Sequence, residues 1–182
     1  MTLNVSIGSA QALNGREAGL QAAHQALNKL GSAAADLGFI IASHQYQARD
    51  VVSGVASLLG DTPVIGFSSP AGLTSEGLRP NSVVVALLSG DFQAETQWMP
   101  TYAQSARETG AKLAKQLAEK DNRGMIFFAD GFNGDADQLC SVIKFSASRR
   151  RSFRWGFAYG SFLPIGWCAN WNRRSGCDLF TR

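Results

Sequence analysis

The sequence predicts an α/β fold, a layered mixed β-sheet with flanking helices, and three observations predict it. Short apolar runs recur at 37–43, 63–69, 83–88 and 124–129, the pattern of strands buried on both faces. Segments with apolar residues at helical spacing lie between them, at 16–30, 48–59, 101–120 and 136–147. Glycines and polar clusters separate the two kinds of segment. Alternation of strands and helices is the signature of an α/β layer architecture. The expected order is β-α-β-α-β, then a β-hairpin, then an α-β-α unit.

The elements follow in chain order. Leu3-Asn4-Val5-Ser6-Ile7 alternates with period two and reads as a strand. Ala18, Ala22, Ala23, Ala26, Leu27 and Leu30 share one helical face, and Gly31 is a natural stop behind them. Leu37–Ser43 is a buried-type strand, and Val51, Val52, Val55, Leu58 and Leu59 mark a second helix despite their β-branching. Pro63–Ser69 is a short strand running into a polar turn. Val83–Leu88 is a strong strand, Ser89-Gly90-Asp91 a turn, and Phe92, Ala94, Thr96 and Trp98 alternate after it, so a hairpin is expected. Ala103, Ala106, Gly110, Leu113, Ala114 and Leu117 line one face of the helix expected over 101–120. Gly124–Ala129 is a further buried-type strand, and Asp135 is placed to cap a helix over 136–147. No internal repeat or low-complexity linker is apparent.

Composition narrows the class. The chain has 182 residues, 45% apolar and 17% charged, enough for a domain with a sizeable core. No apolar run reaches the roughly 20 residues of a membrane helix. The N-terminus lacks the features of a signal peptide. Cys140, Cys168 and Cys177 are too widely spaced for a zinc pattern or a disulfide framework, and a reducing cytoplasm is the expected compartment. The net charge of +3 is uneven: residues 145–182 hold seven arginines and one acid, while residues 1–144 carry a net −3. Two domains are therefore distinguished, 1–144 and an atypical Arg/Trp-rich tail at 145–182.

Two readings of that tail compete. Arg149, Arg150, Arg151, Arg154, Trp155, Arg173 and Arg174 could form a basic-aromatic arm that contacts phosphates and stacks on bases. Alternatively the tail is read out of frame, because every tryptophan codon is TGG and a one-base shift turns each into a glycine. The frame-shift reading is favoured. It makes the chain a truncated copy or a non-functional fragment, with nucleic-acid binding as the alternative function.

Gly8-Ser9, the alanine-rich helix at 18–30, Asp36–Ser43, and above all Pro63-Val64-Ile65-Gly66-Phe67-Ser68-Ser69-Pro70-Ala71-Gly72-Leu73, with Ser75, Gly77 and Ser82-Val83-Val84-Val85, together resemble the FIST N-terminal domain. The resemblance covers about residues 3–144. Phe67 stands where that family commonly has a cysteine, and Leu73 where it commonly has a glutamate. The matching C-terminal FIST domain is absent from the sequence. The resemblance implies a sensory domain of a signal-transduction protein. It implies a small-molecule ligand, an amino acid or a derivative, and a signalling output module as partner.

The residues suggest where such a ligand would sit. Ligands of α/β sheets commonly lie at strand C-terminal ends. Gly66-Phe67-Ser68-Ser69-Pro70-Ala71-Gly72 is a small, polar turn at such an end, and small residues let backbone N–H groups approach an anion. Ser9, Ser43 and His44 also end strands. If those strands are parallel neighbours, Ser9, Ser43, Ser68 and Ser69 would line one edge, with His44 as a titratable donor. Gly66, Ser68, Ser69 and Gly72 complete the expected ligand-binding set. A change at Ser68 or bulk at Gly72 is then expected to weaken binding without unfolding.

No catalytic site, metal site or cofactor is expected. Pro70 breaks the Gly-x-Ser-x-Gly elbow of serine hydrolases. Asp130, Asn133, Asp135 and Asp137 read as a solvated loop with a helix cap rather than a cation site, and Cys140 as a thiol packed on an apolar stretch.

Overall fold

The computed structural model describes residues 3–100, 102–119, 124–130, 133–147, 154–160 and 168–172. It opens with β1 (Asn4–Ala10), α1 (Gly15–Leu30), β2 (Leu37–Ser43), α2 (Ala48–Leu59) and β3 (Val64–Ser69). A short pair, β4 (Ala71–Thr74) and β5 (Gly77–Pro80), precedes β6 (Val83–Ser89). The chain continues through β7 (Gln93–Gln97), α3 (Ala106–Glu119), β8 (Gly124–Asp130), α4 (Ala136–Ala147), β9 (Arg154–Gly160) and β10 (Cys168–Asn172). The mixed α/β class read from the sequence is the class observed.

The first sheet has the order β1-β6-β2-β3. β2 and β3 run parallel, and β6 runs antiparallel to both β1 and β2. Helices α1 and α2 cover one face, where Ala18, Ala22, Ala23, Ala26, Val51 and Val55 pack on Ile40, Ala42, Val83, Val85 and Leu87. Small residues bring these layers close. A Cβ on Gly8 would strike the carbonyl oxygen of Ala22, and one on Gly54 the carbonyl oxygen of Arg16. Asn14 caps α1 by accepting from the Glu17 N–H at 2.9 Å, and Gly31 at φ 75° ends the helix where the spacing predicted a stop.

A second sheet has the order β7-β10-β8-β9, with β7 and β8 antiparallel to β10 and β8 parallel to β9. This repeats the first sheet strand for strand. β7, α3, β8, α4, β9 and β10 stand where β1, α1, β2, α2, β3 and β6 stand. The helix contacts repeat too. The fifth residue of α1, Gly19, meets the carbonyl oxygen of Val51, the fourth residue of α2. The fifth residue of α3, Gly110, meets the carbonyl oxygen of Leu139, the fourth residue of α4. The sequence keeps a trace of this in Arg16-Glu17-Ala18-Gly19 and Arg107-Glu108-Thr109-Gly110. The expectation of no internal repeat is therefore corrected. Three matching letters are too few to show as a period, whereas strand order and helix contact reveal it.

The expected hairpin of 83–88 with 92–98 is also corrected. β6 lies inside the first sheet and β7 in the second, so the tight turn passes the chain between sheets. Phe92, 1% exposed, is buried just after that turn with Leu37 and Ile65, and Phe39, Leu88, Ala94 and Phe128 pack around them. A buried aromatic at the crossing point separates the two strands that a short turn would otherwise pair. The structure's own two-stranded hairpin is β4–β5, which starts at the end of the polar turn read over 66–72 and is not expected from the sequence.

The helix expected over 101–120 begins at Ala106, leaving Ala103 outside it. Its core with α4 and β8 consists of Ala106, Leu113, Met125, Phe127, Ala129, Leu139 and Ile143, joined by Tyr102. Within the tail, the backbones of 154–160 and 168–172 extend the second sheet beside β8 and β7. Arg149, Arg150, Arg151, Arg173 and Arg174 lie outside the described residues. No helix among the described residues is long and apolar enough to cross a membrane.

Candidate functional site

β1 and β2 run in the same direction on either side of β6, and β3 runs parallel to β2. Their C-terminal ends therefore share one edge of the first sheet, the edge at which β6 begins. Ser9, Ser43, Ser68 and Ser69 all come to this edge, but they do not converge. Ser43 and Ser69 are register partners on one face. Ser68 pairs with Ala42 on the opposite, helix-covered face and is 2% exposed. Ser9 is level with Ile41 rather than Ser43, because both face Val84 of β6. Two strand spacings, roughly 10 Å, separate it from β2. The condition that β1 and β2 be neighbours is not met: β6 intervenes.

The hairpin β4–β5 folds back onto this edge. Gly72 sits so close to β6 that a Cβ there would lie 2.5 Å from the Ser82 Oγ and 2.7 Å from a Val84 methyl. Gln11 donates to the Pro80 carbonyl at 2.7 Å, tying the β1–α1 connection to the hairpin. Within the hairpin, Arg79 pairs with Glu76, and Leu78 stands 73% exposed.

The glycines of the expected site serve packing. Gly66 lies inside β3, where a Cβ would strike the carbonyl oxygen of Ile40. Bulk at Gly72 would collide with Ser82 and Val84, so such a variant reports packing before binding. The Ser69 hydroxyl donates to the Ala71 carbonyl at 3.0 Å and shapes the turn into the hairpin. Ser43 is 3% exposed, and its N–H donates to the Ser82 carbonyl at 2.9 Å. His44 is exposed at the rim, with its N–H donating to the Ser69 carbonyl at 3.1 Å.

Sequence reasoning missed Tyr46 and Ser82. The Tyr46 hydroxyl donates to Ala12 O (2.8 Å) or Asn81 O (3.0 Å) and accepts from Ala12 N–H (3.2 Å), joining the loops before α1 and β6. Ser82, fully buried, donates to the Arg79 carbonyl at 2.8 Å and holds the end of the hairpin. A tyrosine three residues beyond a strand end, in an otherwise polar loop, was the available signal for Tyr46. The two residues fix the framework on which Ser43 and His44 are displayed.

Phe67, which stands in place of the family's common cysteine, packs its ring on Phe128 of β8 with centroids 5.0 Å apart. Phe128 also meets Phe39 edge-on at 6.3 Å. The departure thus adds an aromatic to the inter-sheet contact. The side chain of Leu73 lies outside the described residues. In the second unit, Asp130 ends β8 as Ser43 ends β2. Its carboxylate accepts from the Asn133 N–H (3.2 Å) and side-chain amide (2.9 Å), and Asp135 caps α4 through the Gln138 N–H at 2.9 Å. No group of three or more metal-ligating side chains occurs among the described residues. Cys140 is partly buried, and burial first, then the negative charge of Asp137, push its thiol above the usual range.

Comparison with known proteins places the chain. Residues 36–154 match the FIST N domain, and the chain belongs to that family. No curated protein matches it. Among solved structures, a cyanuric acid hydrolase described as an evolutionary innovation by structural concatenation overlaps with a TM-score of 0.43 and 12% identity, covering 94% of this chain and 69% of that one. The cyanuric acid hydrolase of A. caulinodans overlaps with a TM-score of 0.42 and 11% identity, covering 96% and 72%.

Proposed function

As a member of the FIST N domain family, this chain, we propose, is a ligand-sensing module of a signal-transduction protein rather than an enzyme. Its ligand is a small polar molecule of the amino-acid class, and it acts in the cytoplasm with a signalling output module as partner. One observation carries the reading: three strands of the first sheet end at one edge, where Ser43, His44 and Ser69 meet a hairpin folded back over β6. Ser69 would supply its hydroxyl by releasing the Ala71 carbonyl, beside exposed turn backbone, with the nearly buried Ser43 behind it. His44, exposed at the rim, adds a side-chain donor. Such a set suits a carboxylate. Family membership supports the sensory role, because FIST domains are sensory-type domains of signalling proteins.

The test is calorimetric titration of the full chain with a panel of amino acids and simple derivatives, repeated on Ser69→Ala and His44→Ala. Binding of at least one compound, weakened about tenfold in either variant while thermal unfolding stays unchanged, is the expected result. Silence across the panel to millimolar concentration, or equal binding by both folded variants, would remove this edge as the ligand site.

A further inference from the structure

The alternation of β1 has its phase reversed against the core. Ser6, Gly8 and Ala10 are the buried residues, turned toward α1. Leu3, Val5 and Ile7 face the other way and are 51%, 56% and 47% exposed. A half-buried strand normally turns its apolar set inward, because a one-residue shift in phase moves every apolar side chain between core and solvent. Here the phase cannot shift, since a Cβ at Gly8 would collide with α1. The inward position instead carries the Ser6 hydroxyl, which is buried without a hydrogen-bond partner. Strands apolar on the outer face while packed on the inner one are strands covered on both sides.

The outer face of β1 continues an interface already present. Val5 is the register partner of Leu88 and Ile7 of Ala86 on β6. Leu88 packs into the apolar contact between the two sheets. The exposed strip is thus the uncovered margin of the surface by which one sheet of this protein stacks on another. The open edge of the strand, by contrast, is blocked. Lys29 donates to the Ile7 carbonyl at 2.8 Å, and Gln25 accepts from the Ser9 N–H at 3.3 Å. Charged and polar side chains on edge backbone groups oppose addition of a further strand. A partner must therefore stack on the face.

We propose that the outer face of β1, formed by Val5 and Ile7 with Leu3 just before the strand, is a self-association surface on which a second copy of this chain stacks sheet on sheet. The two first-sheet margins face each other across a twofold axis. Sheet-on-sheet stacking is the contact the chain already makes between its own units, and a twofold contact needs only one self-complementary patch. The proposal is independent of the ligand reading.

Sedimentation equilibrium on the full chain, over a wide concentration range, tests it beside Ile7→Lys and Leu20→Lys, with circular dichroism confirming folding. The wild type is expected to show twice the chain mass as concentration rises. Ile7→Lys should weaken association about tenfold or more. Leu20→Lys, which changes an exposed apolar residue on α1, should associate as the wild type does. A second variant, Val5→Thr, keeps strand propensity and should weaken association to a smaller degree. A wild type that stays monomeric throughout overturns the proposal. So does a folded Ile7→Lys or Val5→Thr chain that dimerises undiminished, or equal loss in Leu20→Lys.

Discussion

The two units share strand order, strand direction and the position of the helix contact, yet they fill their layers differently. In the first, four alanines of α1 lie against Val83, Val85 and Ile40, and glycines bring helix backbones against one another and against β1. In the second, Leu113, Leu139 and Ile143 pack on Met125 and Phe127. Small side chains bury little area each, so a layer built from them must sit close. Larger ones bury more and tolerate a wider gap. One path of the chain is therefore reached by two packing solutions, and the connections between elements, not the core residues, define it. The units also differ at their strand ends: Ser43 and His44 in the first correspond to Asp130 in the second, which Asn133 engages.

The largest test concerns what joins the units. Phe92 is buried at the crossing between sheets, and Phe92→Ala should cost about 3–5 kcal/mol in urea unfolding. A loss under about 1 kcal/mol would mean that the units are held together elsewhere. Next, the equivalent glycines can be compared directly. A Cβ at Gly19 would lie 2.5 Å from the Val51 carbonyl oxygen, whereas one at Gly110 would lie 3.0 Å from that of Leu139. Gly19→Ala should therefore lose about 1–3 kcal/mol, and Gly110→Ala distinctly less. Equal losses would erase the contrast between a close and a wider layer. The smallest effect is expected at Ser6. Removing a buried hydroxyl without a partner leaves stability unchanged or raises it by roughly 1 kcal/mol, so Ser6→Ala should not lower the thermal midpoint. A clear loss would show that the hydroxyl is bonded in solution.

Much of the fold was legible in the chain. The helices at Gly15–Leu30 and Ala48–Leu59 and the strand at Leu37–Ser43 follow from periodicity and breakers, because burial of one face leaves a regular apolar spacing. The cap at Asp135 was legible for the same local reason. The candidate site was legible only in part. Residue type and position at strand ends selected Ser9, Ser43, Ser68 and Ser69, but neighbourhood in the sheet is a long-range property. Insertion of β6 between β1 and β2 moved Ser9 away, and the parity of β3 turned Ser68 to the helix face.

What the sequence determined by itself was local: which segments are helix or strand, where they stop, and, through the run from Pro63 to Leu73, the likeness to the FIST N domain family. Tertiary structure alone decided which strands pair, that the turn at 89–91 separates two sheets instead of closing a hairpin, and that Gly66 and Gly72 serve packing. It also decided which face of β1 is turned outward. The physical reason is that periodicity records how many faces of an element are apolar, while pairing and facing depend on residues far apart in the chain. For β1, the collision awaiting any side chain at Gly8 fixed the inner face and left Leu3, Val5 and Ile7 on the outside.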